Sequence, residues 1–351
     1  MSSEAEIRAV LAEVYGEPQV GGVLTRLVGQ ASTRVYYRFE ADQGAPRSVI
    51  VMDLPPDAYG SDEGGAKGTM GELPFLDVQR YLTACGVPVP AVYHVNLDQG
   101  VVILEDLGDE TFESRLERVT RDEREGLYQQ AIDLLVEMQE RCREADGSAT
   151  VAFRRAFELP LLRWELDHFV EWGIAALGEP LSTEENDVIE QAFSQLLGEL
   201  ERMPRRFVHR DFQSRNLMWD KTGRLRLIDF QDALLGPPCY DLAALLCDSY
   251  VDLDEPLQVR LLRYYASRTR QDESVVARQF WTVAAHRKMK DAGRFVFIDR
   301  VRGNPAFLQH FPQSVQYVDR ALGKLGLVSL QQLLFRRLPG YPDTIAVPES
   351  E

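Results

Sequence analysis

The 351-residue sequence contains few cysteines, no long apolar run and no excess of basic residues. Its four cysteines are far apart and form no Cys-x-x-Cys pair, so we predict buried or free thiols rather than disulfides or a zinc site. No apolar stretch approaches the roughly 20 residues that a membrane-spanning helix needs. The acidic start, Met-Ser-Ser-Glu-Ala-Glu, also lacks the apolar segment of a secretory signal. These absences predict a cytoplasmic protein with no membrane partner.

Acidic residues outnumber basic ones, 55 to 39, which gives a formal net charge of −16. Phosphate backbones and anionic membranes repel such a surface unless it carries a local basic patch, so no nucleic-acid partner is predicted. Hydrophobic residues make up 45% of the chain and charged residues 27%, which is the ordinary balance of a globular protein. Because 351 residues exceed what one compact core usually holds, we expect two domains or lobes.

The first part of the chain is predicted to be rich in β-strands. Apolar residues at helical spacing predict a short helix over 5–15. Two segments rich in β-branched and aromatic residues, Val23–Val28 and Arg34–Phe39, flank a short connection at 29–33 and predict a hairpin. Further predicted elements are strands at 48–52 and 101–104, a helix at 73–86, and a mobile loop at 55–71, where five glycines and two prolines gather.

The rest of the chain is predicted to be mainly helical. Predicted elements are helices around 127–138 and over 158–177, a helix begun by a capping box of Ser182 and Glu185, short strands at 206–208 and 225–228, and helices again from Asp241 onward. The last dozen residues resemble a loose tail. We see no internal repeat or coiled coil.

One stretch carries a pattern of chemical groups. His209-Arg210-Asp211 is followed by Asn216, five residues after the aspartate, and by Asp229, thirteen residues after the asparagine and just past an apolar strand. Phosphoryl transfer needs such a set. One carboxylate orients the attacking hydroxyl and accepts its proton, while amide and carboxylate oxygens hold Mg²⁺ against a triphosphate. We predict Asp211 as the catalytic base, Asn216 and Asp229 as ligands of Mg²⁺, and ATP as the phosphoryl donor.

Each of these residues also has an ordinary structural explanation. His209 and Asp211 could be turn residues, Asn216 a cap and Asp229 a carboxylate at the end of a strand. Any one of them alone would favour that alternative. The joint spacing, with hydrophobic residues flanking each polar group, is hard to obtain by chance and favours a kinase.

The pattern resembles the aminoglycoside phosphotransferase and choline kinase group of the protein-kinase-like superfamily, which uses His-x-Asp-x-x-x-x-Asn followed by Ile-Asp-Phe or Ile-Asp-Trp. The resemblance is closer to the cell-wall sugar kinases, which phosphorylate the anomeric (C1) hydroxyl of N-acetylmuramate and N-acetylglucosamine. The segments that resemble this branch are Val-Met-Asp-Leu-Pro-Pro at 51–56, Leu-Glu-Asp-Leu-Gly-Asp at 104–109, and the stretches 162–172, 209–218 and 286–295.

The resemblance implies a two-lobed protein-kinase-like fold of the α+β class. A small β-rich N-lobe at 1–107 would bind the nucleotide, and a larger, mainly helical C-lobe at 108–351 would hold the catalytic loop and the acceptor site. The implied reaction is transfer of the γ-phosphoryl group of ATP to the anomeric hydroxyl of an N-acetylated amino sugar, a small-molecule substrate, in cell-wall sugar recycling.

Further residues match family positions with supporting roles. His209 matches a residue that braces the catalytic loop, and Asp241 matches a scaffold position that we interpret as a helix cap. Glu105, Asp106 and Leu107 match the connector whose backbone binds the adenine ring. Backbone recognition there means that side-chain identity need not be strict.

The sequence departs from the family on the third strand, which usually carries a lysine that contacts the nucleotide phosphates. Here that strand ends in Val51-Met52-Asp53. Arg34, just after the predicted connection at 29–33, could supply the missing cation, and an exposed surface arginine is the alternative. Glu72 could mimic the helix carboxylate that usually pairs with the lysine, but without a lysine we interpret it as a first-turn helix residue.

Several basic side chains could meet an acidic substrate. Arg215, Arg287, Lys288 and Arg294 could bind an anion such as the lactyl carboxylate of N-acetylmuramate. The alternative, which we favour for each of them taken singly, is a solvated basic face.

Two other functions remain open at this point. One is phosphoryl transfer to an aminoglycoside antibiotic. The other is a non-catalytic nucleotide-binding protein, which the absent strand lysine suggests and the intact set of Asp211, Asn216 and Asp229 opposes. The sequence leaves the oligomeric state undetermined.

Overall fold

A computed structural model of the chain describes residues 2–16, 21–27, 34–55, 73–143, 150–338 and 340–341. The predicted connection at 29–33, Glu72, and nearly all of the predicted loop and tail lie outside these residues. The chain divides into two compact units, Met1–Glu110 with Met218–Asp232, and Thr111–Leu217 with Ala233–Glu351. Residues 218–232 therefore belong with the first unit, although they come late in the sequence.

The first unit is built on an antiparallel sheet with the strand order β1-β2-β3-β5-β4. Its strands are β1 (Gly22–Arg26), β2 (Val35–Ala41), β3 (Ser48–Asp53), β4 (Val92–Asn96) and β5 (Val101–Glu105), and its helices are α1 (Glu4–Tyr15) and α2 (Pro74–Ala84). β1 and β2 form the predicted hairpin, in which Arg26 pairs with Tyr37. The sequence pattern does not predict the edge strand β4, which pairs with β5 through an irregular register.

Helix α1 packs on one face of this sheet. Successive residues of a strand point to opposite faces, so alternate positions on neighbouring strands supply one apolar surface. That surface and α1 share one buried core, which includes Ile7, Val10, Leu11, Phe39, Val49, Val51 and Ile103. Burial of each such side chain contributes about 1.5–3 kcal/mol. The core therefore stabilises the sheet that carries the connector after β5.

The second unit is mainly helical. Its helices are α3 (Phe112–Leu116), α4 (Arg121–Arg141), α5 (Leu159–His168), α6 (Thr183–Arg202), α7 (Tyr240–Leu246), α8 (Glu255–Thr269), α9 (Glu273–Arg302), α10 (Phe311–Leu325) and α11 (Val328–Arg337). The predicted capping box of Ser182 and Glu185 is present at the start of α6. The predicted α+β class, with a β-rich N-lobe and a larger, mainly helical C-lobe, is confirmed.

Short strands surround the sequence motif. They are β6 (Arg206–Val208), β7 (Leu217–Trp219), β8 (Leu225–Leu227) and β9 (Leu234–Gly236); β6 pairs with β9, and β7 pairs with β8. Because each of these strands has only three residues, most of this region consists of connections between regular elements. The polar motif residues lie on those connections.

The helix predicted over 158–177 is a mixed helical segment. α5 is followed by a π-helical turn, Phe169–Ile174, and a 3-10 turn, Ala175–Leu177. Gly293 of α9 lies against this segment, since a Cβ atom there would come within 2.9 Å of the His168 carbonyl oxygen. Glycine is required at 293 because only a residue without a side chain lets the two backbones approach so closely.

The 30-residue helix α9 is buried over most of its length. Its buried residues include a charged cluster: His286, Arg287, Lys288, Lys290 and Asp291. The solvated basic face that the sequence favours is therefore wrong for Arg287 and Lys288, whose side chains are each 1% exposed. Buried charges require partners, and the partner of Arg287 is Asp211, which connects α9 to the motif. Among the described residues, no helix is long and apolar enough to cross a membrane.

Candidate active site

The Asp211 loop (residues 209–216) follows β6 and begins in a strained conformation. Arg210 has a φ of 79°, in the left-handed region that residues other than glycine rarely adopt. The buried Asp241 carboxylate accepts hydrogen bonds from the main-chain N–H groups of His209 (2.7 Å) and Arg210 (2.9 Å). Such strain persists only where the surrounding structure over-determines it. These bonds help to fix the backbone next to Asp211.

Asp241 is not the helix cap that we predicted. It is the second residue of α7, and the N-cap position is occupied by Cys239, which makes no side-chain capping bond. The Asp241 carboxylate binds the Asp211 loop instead, because buried main-chain N–H groups outside a regular ladder need an acceptor. Burial raises the pKa of Asp241 to about 7 in spite of these two bonds.

Three contacts orient Asp211 itself. His209 Nδ1 accepts a hydrogen bond from the Asp211 N–H at 3.2 Å, and Asn216 Nδ2 donates to the Asp211 carbonyl oxygen at 2.8 Å. Arg287 donates from Nη1 to the Arg210 carbonyl oxygen (2.7 Å) and from Nη2 to Oδ1 of Asp211 (3.1 Å). The Asp211 side chain remains 36% exposed. It is therefore held in place and still accessible to a second molecule.

Nearby positive charges favour the ionised form of the Asp211 carboxyl group. Burial acts to raise its pKa, but the positive charges of Arg287, Lys290 and Arg210 outweigh burial and lower the pKa below its ordinary value. An ionised carboxylate can accept a hydrogen bond from a hydroxyl group and then its proton. Arg287 is 1% exposed and bound to Asp211, so its role in the structure is to hold this carboxylate.

Asn216 presents an oxygen that is suited to a hard cation. Its Nδ2 is bound to the Asp211 backbone, and its Oδ1 accepts no hydrogen bond from any described residue. Across the described ranges, no group of three His, Cys, Asp or Glu side chains could hold a metal by itself. Mg²⁺ commonly takes one or two protein oxygens and completes its shell with substrate phosphates and water. The donor set fits such a cation.

In the first unit, Asp229 lies just after β8 with a φ of 64°, also in the left-handed region. The next residue, Phe230, is fully buried and stacks on Phe75 with the ring centroids 5.0 Å apart. Gln231 Nε2 donates to Oδ1 of Asp229 at 2.9 Å, while Asp229 itself is exposed. The buried residues Phe230 and Gln231 thus hold the Asp229 carboxylate in an accessible position, as a metal ligand requires.

Arg34 and Asp229 lie near the same tyrosine. Burial is the largest effect on the pKa of Tyr36 and raises it. The charge of Arg34 opposes this rise, the charge of Asp229 adds to it, and the Arg34 side chain is hydrogen-bonded to Tyr36. The structure therefore places the predicted phosphate-binding cation in the same part of the first unit as the predicted metal ligand.

The connector after β5 is held by Asp106. The Asp106 carboxylate accepts hydrogen bonds from the Gly108 N–H (2.9 Å), from Arg38 Nη2 (3.1 Å) and from the Ser48 hydroxyl. Leu107 is 4% exposed, and its main-chain groups make no hydrogen bond to any described residue. Because buried main-chain groups need partners, Leu107 offers a donor and an acceptor to a bound molecule.

Glu105 is less available than Leu107. Its main-chain N–H donates to the Ala91 carbonyl oxygen at 2.9 Å, and its carboxylate pairs with Arg226 at 2.6 Å. These bonds belong to the packing of β5 against its neighbours. Of Glu105 and Leu107, Leu107 is therefore the one with unused main-chain groups.

The end of β3, where the family lysine would lie, has a structural role here. Asp53 is fully buried and accepts hydrogen bonds from the Ser2 main-chain N–H (3.1 Å) and the Ser2 hydroxyl (2.9 Å). This carboxylate ties the N-terminal segment to the sheet.

The sequence analysis names Asp241 and Arg287 but does not predict that they shape the Asp211 loop. Arg287 lies in α9 among several other charged residues and does not stand out, whereas Asp241 is the only charged residue of an apolar helix, Tyr-Asp-Leu-Ala-Ala-Leu-Leu at 240–246. A charged residue within such a helix is a signal that it has a buried partner. That signal does not say which residue the partner is.

Comparison with known proteins shows which family the chain resembles. The family model of the phosphotransferase enzyme family matches residues 23–277. An N-acetylmuramate/N-acetylglucosamine kinase of Neisseria meningitidis serogroup B is 31% identical over 329 residues, covering 91% of each chain. An N-acetylmuramate/N-acetylglucosamine kinase of Pseudomonas aeruginosa is also 31% identical, over 90% of this chain and 88% of its own length.

Solved structures share the fold. A choline/ethanolamine kinase family protein from Mesorhizobium loti superposes with a TM-score of 0.59 at 17% identity, covering 93% of this chain and 99% of that protein. The ADP-bound aminoglycoside phosphotransferase APH(2'')-Ib also gives a TM-score of 0.59, at 18% identity, covering 90% of this chain and 98% of that protein. The resemblance found in the sequence is confirmed, and the chain belongs to the phosphotransferase enzyme family.

Proposed function

We propose that this protein is a kinase that transfers the γ-phosphoryl group of ATP to the anomeric hydroxyl of an N-acetylated amino sugar. The observation that carries the proposal is the Asp211 carboxylate, which is 36% exposed, oriented by Arg287 and lowered in pKa by the positive charges around it. It lies in a chain of the phosphotransferase enzyme family whose curated relatives are named N-acetylmuramate/N-acetylglucosamine kinases. The reaction belongs to cytoplasmic recycling of cell-wall sugars in this proposal.

Asp211 aligns the acceptor hydroxyl and takes its proton. Arg287 holds Oδ1 of Asp211, and the second carboxylate oxygen is the one that meets the hydroxyl. A carboxylate with a lowered pKa is a weak base, which suits an anomeric hydroxyl because that group is more acidic than an ordinary sugar alcohol. Phosphoryl transfer itself demands positioning more than base strength.

Asn216 and Asp229 are the residues that would hold Mg²⁺, each through one oxygen. Bound Mg²⁺ would neutralise charge on the triphosphate. The open Oδ1 of Asn216 and the exposed carboxylate of Asp229 support this assignment. The remaining ligands would be phosphate oxygens and water.

The nucleotide is bound by the N-lobe (1–107) and the acceptor by the C-lobe (108–351) in this proposal. The main-chain groups of Leu107 bind the adenine ring, and Glu105 contributes at most its carbonyl oxygen, since its N–H is bound to Ala91. Arg34 takes the place of the missing strand lysine, because a guanidinium near Asp229 can neutralise the phosphates that the metal also binds.

Replacing Arg34 with alanine should weaken ATP binding more than adenosine binding, because only ATP carries the phosphates. A charged hydrogen bond of roughly 1.5–3 kcal/mol corresponds to about a tenfold or greater rise in the Kd of ATP. Isothermal titration calorimetry measures both affinities. Arg26→Ala, at an exposed position of β1, is the matched control and should change neither. Equal ATP affinity in the Arg34 variant and the parent would identify Arg34 as a surface residue.

The product distinguishes this function from its alternatives. Purified enzyme with Mg²⁺-ATP should phosphorylate N-acetylglucosamine and N-acetylmuramate at C1, while choline and kanamycin should be poor acceptors. The product is then an acid-labile sugar 1-phosphate whose phosphorus couples to the anomeric proton in NMR spectra. The Asp211→Asn protein, prepared in parallel, controls for contaminating kinases.

Three results would contradict the proposal. Phosphate at C6 would refute the anomeric acceptor. Transfer to kanamycin with none to either amino sugar would favour an antibiotic-modifying enzyme. ATP binding without turnover on any acceptor would favour a non-catalytic nucleotide-binding protein, the alternative that the absent strand lysine suggests.

A further inference from the structure

The second unit holds one arginine rigidly beside the Asp211 loop. Arg215 lies on the 3-10 turn Ser214–Asn216 of that loop. Its Nε and Nη2 atoms donate to the Glu113 carboxylate at 2.7 Å and 3.0 Å. Its guanidinium carbon lies 3.6 Å from the centroid of the Tyr250 ring. A carboxylate on one edge and an aromatic ring on one face orient this guanidinium before any ligand binds.

One edge of the Arg215 guanidinium remains open. A guanidinium group can bind a carboxylate through its Nε–Nη2 edge or through its Nη1–Nη2 edge. Glu113 occupies the first edge. Nη1 donates to no acceptor among the described residues, and the Arg215 side chain is 24% exposed. The second edge can therefore take another carboxylate in the same bidentate geometry.

Tyr250 contacts Arg215 and also feels the charge of Asp211. Burial and the charge of Asp248 raise the pKa of Tyr250, and the charges of Arg215 and Asp211 both act on it as well. Arg215 and Asp211 therefore lie near the same phenol group. The two residues also lie four positions apart on the Asp211 loop.

The other basic candidates have different roles in the second unit. Arg287 is 1% exposed and bound to Asp211, and Lys288 is 1% exposed and bound to Ser249 and Asp291. The guanidinium carbon of Arg294 lies 5.3 Å from the centroid of the Phe297 ring. Of the four basic residues considered, Arg215 alone combines a fixed orientation, partial exposure and a place on the Asp211 loop.

We propose that Arg215 binds the carboxylate of an acidic amino sugar through its Nη1–Nη2 edge and thereby sets the preference between acidic and neutral acceptors. N-acetylmuramate carries a lactyl carboxylate, and N-acetylglucosamine does not. The inference rests on the proposed function and names a specificity residue within it. Because Glu113 already neutralises Arg215, a neutral sugar leaves no unpaired cation behind, so one site accepts both sugars.

The test compares kcat/KM for the two sugars in the parent, Arg215→Met and Arg215→Lys. The kcat/KM for N-acetylmuramate divided by that for N-acetylglucosamine should fall about tenfold or more in Arg215→Met, as expected for loss of a charge-assisted bidentate pair. Lysine keeps the charge but not the planar fork, so Arg215→Lys should restore only part of the ratio. Arg294→Met is the matched control and should keep the parent ratio.

A second measurement needs no variant. The parent should use N-acetylmuramate about tenfold or more efficiently than the analogue whose carboxylate is converted to a carboxamide, and Arg215→Met should use the two about equally. If Arg215→Met does not fold, comparing N-acetylmuramate with its carboxamide in the parent still tests whether the carboxylate is recognised. This inference would be overturned if the parent used N-acetylmuramate and its carboxamide equally well. It would also be overturned if folded Arg215→Met kept the parent ratio of kcat/KM for the two sugars. Either result would leave the proposed function standing. Failure of the parent to phosphorylate either sugar would overturn both.

Discussion

Changing Asp211 to asparagine is expected to lower kcat by about 10²- to 10⁴-fold, the usual contribution of a positioned general base. The amide keeps the shape of the side chain and can still accept the hydrogen bond from Arg287 Nη2. What it loses is the negative charge and the ability to take the proton of the acceptor. The KM for ATP should change little, because Asp211 contacts the acceptor hydroxyl in the proposed reaction.

Initial rates at saturating acceptor measure this effect, and thermal unfolding of the same samples reports whether the fold is kept. Asp187→Asn removes one carboxylate from an exposed position of α6 and is the matched control, which should retain parent activity. A kcat within a few fold of the parent would exclude Asp211 as the base. Equal, negligible turnover by parent and variant on every acceptor would instead favour a non-catalytic nucleotide-binding protein.

Changing Asp229 to asparagine should lower Mg²⁺-dependent activity by about 10²-fold or more. A bound metal contributes several kcal/mol to phosphoryl transfer, and each 1.36 kcal/mol is a factor of ten in rate. Asparagine is the informative replacement because Asp229 has a φ of 64°, and asparagine tolerates the left-handed region better than alanine. Since Asp229 is exposed, the fold should be preserved.

Activity as a function of free Mg²⁺ at saturating ATP is the measurement. The parent should saturate at low concentrations of the ion, and the variant should need more Mg²⁺ or fail to saturate. Asp98→Asn, which changes an exposed aspartate in the turn between β4 and β5, is the matched control. An unchanged Mg²⁺ dependence in Asp229→Asn would rule out this carboxylate as a ligand.

The residues of the proposed site could be selected from their local spacing in the sequence. Asp211, Asn216 and Asp229 lie within 19 residues of one another in the sequence, and their order matches what a phosphotransferase needs. The strand hairpin and the capping box of Ser182 and Glu185 were predictable for the same reason, because turn residues and caps act over a few positions. The missing lysine on β3 was also evident in the sequence.

Elements that depend on distant partners were harder to predict. The strand β4 pairs with β5 through an irregular register, and its burial alternates only over five residues, a pattern too short to distinguish a strand from a loop. The helix predicted over 158–177 changes to a π turn where Gly293 of α9 brings another backbone close. Packing, rather than periodicity, decides both features.

By itself the sequence determined which groups are available for phosphoryl transfer, because motif spacing and helix and strand periods are local properties of the chain. Only the tertiary structure decided what each arginine does. Arg287 meets Asp211 across 76 residues and is buried, whereas Arg215 meets Glu113 across 102 residues and keeps one edge accessible. The physical reason is that burial and ion pairing depend on residues that folding brings together from distant parts of the chain, and no local pattern specifies them.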